Sequence, residues 1–278
     1  MSERLRGKEL LNALESGEVR VAERDTDGAW RVNAWVKEEI LAIFRESITV
    51  KFLWPRSESF RNFPSWLGAG GFASFNDKQP LAPRVFGDED GVRIVPGGTA
   101  IRRGAHLGKG VIVMPPAYVN VGAFVDEGSM VDSHALIGSC AQIGKRVHVS
   151  AAAQIGGVLE PAGARPVIVE DDAFIGGNCG VYEGVLVGRG AVLAAGVVLS
   201  ASTPVFDLVK QRELRGSRAA PLEIPENAVV IPGTRPASKD GASDAWAASR
   251  GLQVACALIV KYRDASTDRA TALEQALR

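Results

Sequence analysis

A mainly β fold, a parallel β-helix of hexapeptide repeats, is what this sequence predicts, and three observations predict it. From Val95 to Ile155 every sixth residue is aliphatic: Val95, Ile101, Leu107, Val113, Val119 and so on through Ile137, Ile143 and Val149. Four residues after each comes a small or slender side chain, as at Thr99, Ala105, Ala117, Ser129 and Ala135. The residue directly after the aliphatic is often Gly, Asn or Asp, as at Gly108, Asn120, Asp126, Asp132 and Gly138. A period of six suits neither a 3.6-residue helix nor a two-residue strand. It suits a triangular prism in which each side is a short strand and each corner a turn, so that three hexads close one coil. The large aliphatic points inward, and the Gly, Asn or Asp after it is expected to take the positive φ.

The elements follow in chain order. Residues 1–90 lack the hexad and read as an N-terminal helical and irregular region. Leu10, Leu11 and Leu14 recur at helical spacing before a stop at Ser16-Gly17. Trp35, Ile40, Leu41 and Phe44 predict a second helix over 32–45, and 47–90, rich in Pro, Gly and aromatics, reads as irregular linking structure. Gly68-Ala69-Gly70-Gly71 follows no clear strand and opens no helix, so it is read as a turn rather than a phosphate loop. The prism is expected over 91–235. Its count breaks at Pro161–Pro166 and resumes at Val169, Ile175, Val181, Val187, Leu193 and Leu199, with Ile224 and Val230 after a longer break. That break, about 205–223, holds Lys210, Arg212, Arg215 and Arg218 and reads as an insertion leaving a corner, either a solvated loop or a basic flap. Residues 236–278 form a C-terminal extension, with a strand over 252–262 and a helix capped by Ser266. These last elements are expected to cover the strand edges at the end of the stack.

Lys plus Arg and Asp plus Glu both number 32, which favours neither nucleic acid nor an anionic membrane as a partner. The first residues, Met1-Ser2-Glu3-Arg4-Leu5-Arg6, carry no apolar signal core, and no apolar run approaches a membrane span. The three cysteines, Cys140, Cys179 and Cys256, form no CxxC pair. A cytoplasmic protein with reduced thiols is the expectation.

A filled prism must bind ligands on its outside, and the corners carry Asp126, Glu127, Asp132, His134, His148, Glu170 and Glu183. Corner carboxylates are most often turn-forming or solvated. One long string adds more. The run Met114-Pro115-Pro116-Ala117-Tyr118-Val119-Asn120-Val121-Gly122-Ala123-Phe124-Val125-Asp126-Glu127-Gly128-Ser129-Met130-Val131-Asp132 resembles the tetrahydrodipicolinate N-succinyltransferases. So do Ile137–Lys145, Ile155–Pro161 and Ser238-Lys239-Asp240-Gly241, and the similarity spans about 90–262. The resemblance implies a homotrimeric left-handed β-helix, without a permanently bound cofactor or metal. It would transfer succinyl from succinyl-CoA, a co-substrate, to the amine of 2-amino-6-oxopimelate on the lysine route. General crossover handedness would have given the opposite hand.

The same resemblance assigns roles. Arg93 matches the family's substrate arginine, and a guanidinium grips a carboxylate through paired hydrogen bonds. Asp132 matches an acid that contacts the acceptor amine, whose pKa of roughly 8–10 requires loss of a proton before attack. Lys239 belongs to the string placed on the acyl-CoA side. The family's second acid falls, by colinear counting, at Gly180, which has no side chain, so His134 and Glu183 stand beside Asp132 as alternative bases. Acetyl-CoA as donor to the same acceptor is the near alternative. A zinc lyase on such a prism needs two ligands close in sequence, and His106, His134 and His148 stand 28 and 14 residues apart. A non-catalytic trimeric scaffold would not need the strings around Asp132 and Lys239.

Overall fold

The structure, a computed structural model, describes residues 4–55, 72–217, 219–237 and 242–264. Two-residue strands repeat through most of the chain and stack in three parallel columns, the faces of a prism. The first face begins at Arg93–Ile94 and continues through Ile112–Val113, Met130–Val131, His148–Val149, Phe174–Ile175 and Val192–Leu193. The second runs from Ala100–Ile101 to Val198–Leu199, and the third from His106–Leu107 to Glu223–Ile224. Strand partners are 18 residues apart in the regular coils, as for Ile112 and Met130. The inward aliphatics form one continuous core in which Ile137, Ile143, Ile155, Ile175, Leu193 and Leu199 have no exposed surface. Each such side chain contributes about 1.5–3 kcal/mol of burial, so the hexad is itself the stabilising element.

Two details of the repeat differ from the sequence expectation. Ile94, not Val95, pairs with Val113 and packs on the core, because the following Pro96-Gly97-Gly98 turn holds one extra residue. The positive φ falls on the third residue after the aliphatic, not the first. His134 (62°), Cys140 (69°), Arg146 (55°), Ala152 (58°) and Asn178 (57°) occupy that place. Glycine directly after the aliphatic has a different cause. A Cβ at Gly108 would lie 2.7 Å from the backbone nitrogen of Glu127, and one at Gly176 would lie 2.6 Å from that of Ala195. Successive corners approach too closely there for any side chain. Where Asn120, Asp126 or Asp132 stands instead, its Oδ1 accepts the next residue's N–H at 2.8, 2.8 and 2.6 Å.

Both breaks in the count are insertions at the corner between the second and third faces. Gln142 pairs with Ile168, 26 residues on, so eight extra residues leave the prism. Leu186 pairs with Glu223, 37 residues on, so nineteen do. The second insertion contains a hairpin, Val205–Asp207 with Arg212–Leu214. Arg165 clips the two insertions together: it pairs with Glu223 and donates to the carbonyls of Gly184 (2.9 Å) and Pro221 (2.9 Å).

The N-terminal region packs on the third face. Helix α1 (Gly7–Ser16) buries Leu10, Leu11 and Leu14 and ends at Gly17, whose φ of 80° closes the cap. Helix α2 (Ala34–Glu46) starts after the expected Val32, which instead ends a ribbon formed by Ala22–Arg24 and Trp30–Val32. The segment expected to be irregular contains a second ribbon, Thr49–Pro55 with Phe72–Lys78, where β-branched and aromatic residues favour strands. Lys37 is fully buried, donates to the carbonyl of Ala164 at 2.6 Å, and has its pKa lowered by desolvation.

After Ile224 the chain forms a long strand, Ala228–Pro236, that continues the first face. Helix α3 (Ala242–Ser249), in an alanine-rich stretch to which the sequence reading assigned no element, precedes the strand Gln253–Tyr262. That strand pairs antiparallel with Ala228–Pro236, and the hairpin of the second insertion pairs beside it. The expected helix after Ser266 and the Gly68–Gly71 turn lie outside the described residues.

Candidate active site

Asp132 and His134 occupy the corner between the first and second faces, immediately after the third strand of the first face. Asp132 is half-buried. Its Oδ1 is held by the N–H of Ser133, and its other oxygen makes no hydrogen bond among the described residues. The turn therefore fixes the carboxylate and leaves one acceptor oxygen without a partner among the described residues. His134 is exposed in the left-handed conformation. Its N–H donates to Pro116 at 2.5 Å and its carbonyl accepts from Gln154 at 3.3 Å, so the main chain is anchored and the ring projects. Arg93 is exposed at the outward position of the first strand of the same face, two coils before Asp132. Two coil spacings are about 10 Å.

Glu183 is not brought together with them. It follows the fifth strand of the second face, at the corner between the second and third faces, and its Oε2 accepts the N–H of Ala201 at 3.1 Å. Gly180, on that strand, is buried, and a Cβ there would lie 2.8 Å from the Oη of Tyr182. The tyrosine ring thus covers the place where a residue-180 side chain would project. Sequence reading passed over Tyr182. The signal available was the glycine itself, since glycine in a strand often marks close approach by another group. Lys239 lies outside the described residues.

Tyr182 and Glu183 line a cavity of about 990 Å³ between the two insertions, which reaches along the second face to Leu136, four residues past Asp132. Its charged lining is Glu160, Arg165 and Glu183. The basic insertion is largely neutralised: Arg212 pairs with Asp207 at 3.2 Å, Arg215 with Glu213 at 2.5 Å, and the Lys210 ammonium lies 4.3 Å from the Tyr262 ring centre. Arg218 is outside the described residues. The solvated-structure reading of this insertion fits better than a free basic flap.

The three histidines stand apart. His106 is on the third face, stacked on Phe124, and donates from Nδ1 to the carbonyl of Glu15 at 2.9 Å. His148 stacks on Phe174 on the first face. The cysteines are free and buried, and desolvation pushes the Cys140 thiol up to about 12. No helix among the described residues is long and apolar enough to cross a membrane.

Comparison with known proteins bears on the family and the fold. Residues 166–201 match the profile of the hexapeptide repeat of succinyl-transferase, and residues 7–45 match that of the tetrahydrodipicolinate N-succinyltransferase N-terminal region. The 2,3,4,5-tetrahydropyridine-2,6-dicarboxylate N-succinyltransferase of Rhodopseudomonas palustris strain BisA53 is 43% identical over 275 residues, covering 98% of this chain and 88% of that one. The enzyme of the same name from Bradyrhizobium diazoefficiens is 43% identical over 276 residues, covering 97% and 88%. A solved Campylobacter jejuni structure described as a 2,3,4,5-tetrahydropyridine-2-carboxylate N-succinyltransferase shares the fold, with a TM-score of 0.50 at 19% identity. It is covered over 92% of this chain and 64% of its own. A chain this similar along nearly its whole length belongs to the tetrahydrodipicolinate N-succinyltransferase family.

Proposed function

We propose that the protein transfers the succinyl group of succinyl-CoA to the amine of 2-amino-6-oxopimelate, the opened form of tetrahydrodipicolinate, in the lysine route. The observation that carries this is the 43% identity to enzymes of that name over 98% of the chain. In this reading Arg93 grips an acceptor carboxylate. Asp132 holds the ammonium and takes its proton, its free oxygen being the one the Ser133 turn leaves open. Lys239 is assigned to acyl-CoA binding by its matching string. The thioester is already activated, so the amine attacks directly and no acyl-enzyme is needed. His134 and Glu183 are the competing bases.

The reading includes a left-handed coil and a homotrimer in the cytoplasm. Support for the trimer comes from the second face, whose outward residues include Tyr118 and Val198, 36% and 57% exposed. A groove between copies would also bring the Asp132 corner of one opposite another wall, which a single chain does not provide. The test is release of free thiol from succinyl-CoA and from acetyl-CoA, each with and without the dicarboxylate acceptor. Acceptor-dependent release from succinyl-CoA alone is expected. Preference for acetyl-CoA would move the protein to the acetyl-donor reading, and no acceptor dependence would reject both.

A further inference from the structure

The corner at Tyr182-Glu183 is built unlike the others. Among the described corners of the prism, only here does the second residue after the inward aliphatic have a positive φ: Glu183 at 54°, followed by Gly184 at 74°. A non-glycine side chain is disfavoured in that region, and such outliers cluster where a site dictates the backbone. Tyr182 lies back over a bed of glycine. A methyl group at Gly156 would come within 2.8 Å of its Cδ1, and one at Gly180 within 2.8 Å of its Oη. No larger residue at either position leaves the ring where it is. The ring is 36% exposed, yet its Oη makes no hydrogen bond among the described residues.

Tyr182 lines the cavity that runs to Leu136, on the coil of Asp132. The other polar groups around it are poor donors for a ligand. The Arg165 guanidinium is engaged by Glu223 and by the carbonyls of Gly184, Pro221 and Leu222. Glu160 and Glu183 offer carboxylate oxygens, which accept. Ser202 has a hydroxyl but is exposed. A thioester carbonyl under attack by an amine becomes an oxyanion, and it is stabilised by a donor already fixed in place. A phenol hydroxyl packed on glycine is such a donor.

We propose that Tyr182 is a catalytic residue whose O–H hydrogen-bonds the acyl oxygen of the thioester as it becomes an oxyanion. This rests on the acyl-transfer reading above. The amine nitrogen forms the new C–N bond while the carbonyl π pair moves onto oxygen, where Tyr182 holds it without giving up its own proton. The ammonium proton that Asp132 removed first has gone to solvent, so the proton lost on attack passes to the free Asp132 carboxylate. Collapse of the intermediate breaks the C–S bond, and the departing thiolate takes that proton to leave as CoA thiol.

The test is Tyr182→Phe, which keeps the ring on its glycine bed and removes only the hydroxyl. In acceptor-dependent thiol release from succinyl-CoA, kcat should fall about 10²–10³-fold, as for loss of one oxyanion donor. Both KM values should stay within about threefold, the signature of a contact made in the transition state. The thermal midpoint should not fall. A kcat within about threefold of wild type, an effect confined to KM, or a lowered midpoint would each overturn the proposal. Asp132→Asn is run alongside. If it is silent while Tyr182→Phe is slow, the Asp132 assignment fails and the Tyr182 assignment stands. A wild-type protein without acceptor-dependent release sinks the acyl-transfer reading, and this inference with it.

Discussion

At Asp132 two demands meet in one side chain. One oxygen closes the corner by accepting the Ser133 N–H at 2.6 Å, and the other is open. Asparagine can keep the first bond and loses the charge and basicity of the second, so Asp132→Asn separates the two. The coil should fold normally, and kcat should fall about 10²-fold or more if the carboxylate is the base. His134→Gln and Glu183→Gln are the parallel measurements. A collapse in one of those with Asp132→Asn near normal would make Asp132 a turn residue only. Arg93 carries a separate expectation. It is exposed and has no side-chain partner among the described residues, so Arg93→Ala should leave stability unchanged. Loss of charged hydrogen bonds worth about 1.5–3 kcal/mol each should raise the acceptor KM tenfold or more. The donor KM should stay fixed, and equal effects on both would reject the carboxylate clamp.

Individual elements carry their own tests. Glycines after the inward aliphatic are required by coil contact, whereas Gly163, on the first insertion, has open space around it. A Cβ at Gly138 would overlap the backbone of Gly157. Gly138→Ala should therefore cost about 1–3 kcal/mol or more in chemical denaturation, since backbone has to move. Gly163→Ala should be near neutral. The seam between α1 and the third face responds to pH. Burial lowers the pKa of His106 below its ordinary 6.5, so the unfolded state binds the proton more readily than the folded one. Stability from this group is full above about 6.5 and is lost as pH falls through the lower folded value. The thermal midpoint should drop on acidification through that window, and His106→Gln should flatten the drop. The inward aliphatics were legible in the sequence because each coil repeats one steric requirement every six residues. The place of positive φ was not, because Gly, Asn and Asp after the aliphatic have reasons other than φ. The ribbon Thr49–Pro55 with Phe72–Lys78 was also hidden, since its pairing joins segments with no shared period. Arg93 and Asp132 became visible as site residues only through long matched strings. Nothing in their spacing relates a first-coil arginine to a third-coil aspartate.

For the whole molecule, the filled core forces chemistry to the outside, and the candidate residues divide between two corners. Asp132 and His134 stand on one, Tyr182 and Glu183 on another two coils further along. A homotrimer with a groove between copies would let opposite corners meet. Mixing and re-annealing Asp132→Asn with Tyr182→Phe, each expected to be slowed about 10²-fold or more alone, should then restore part of the activity, because some grooves regain both intact walls. An active monomer in sedimentation would refute this. The end of the stack has a consequence of its own. Parallel coils repeating every 18 residues contain no instruction to stop, since each finished coil is a template for the next. The strand Gln253–Tyr262 reverses direction against Ala228–Pro236, and the hairpin from the second insertion is laid beside it. That reversal works as a terminator in a one-dimensional crystal: it spoils the lattice match along the first face, and a further coil that cannot pair on one face cannot close, so the prism has a defined length.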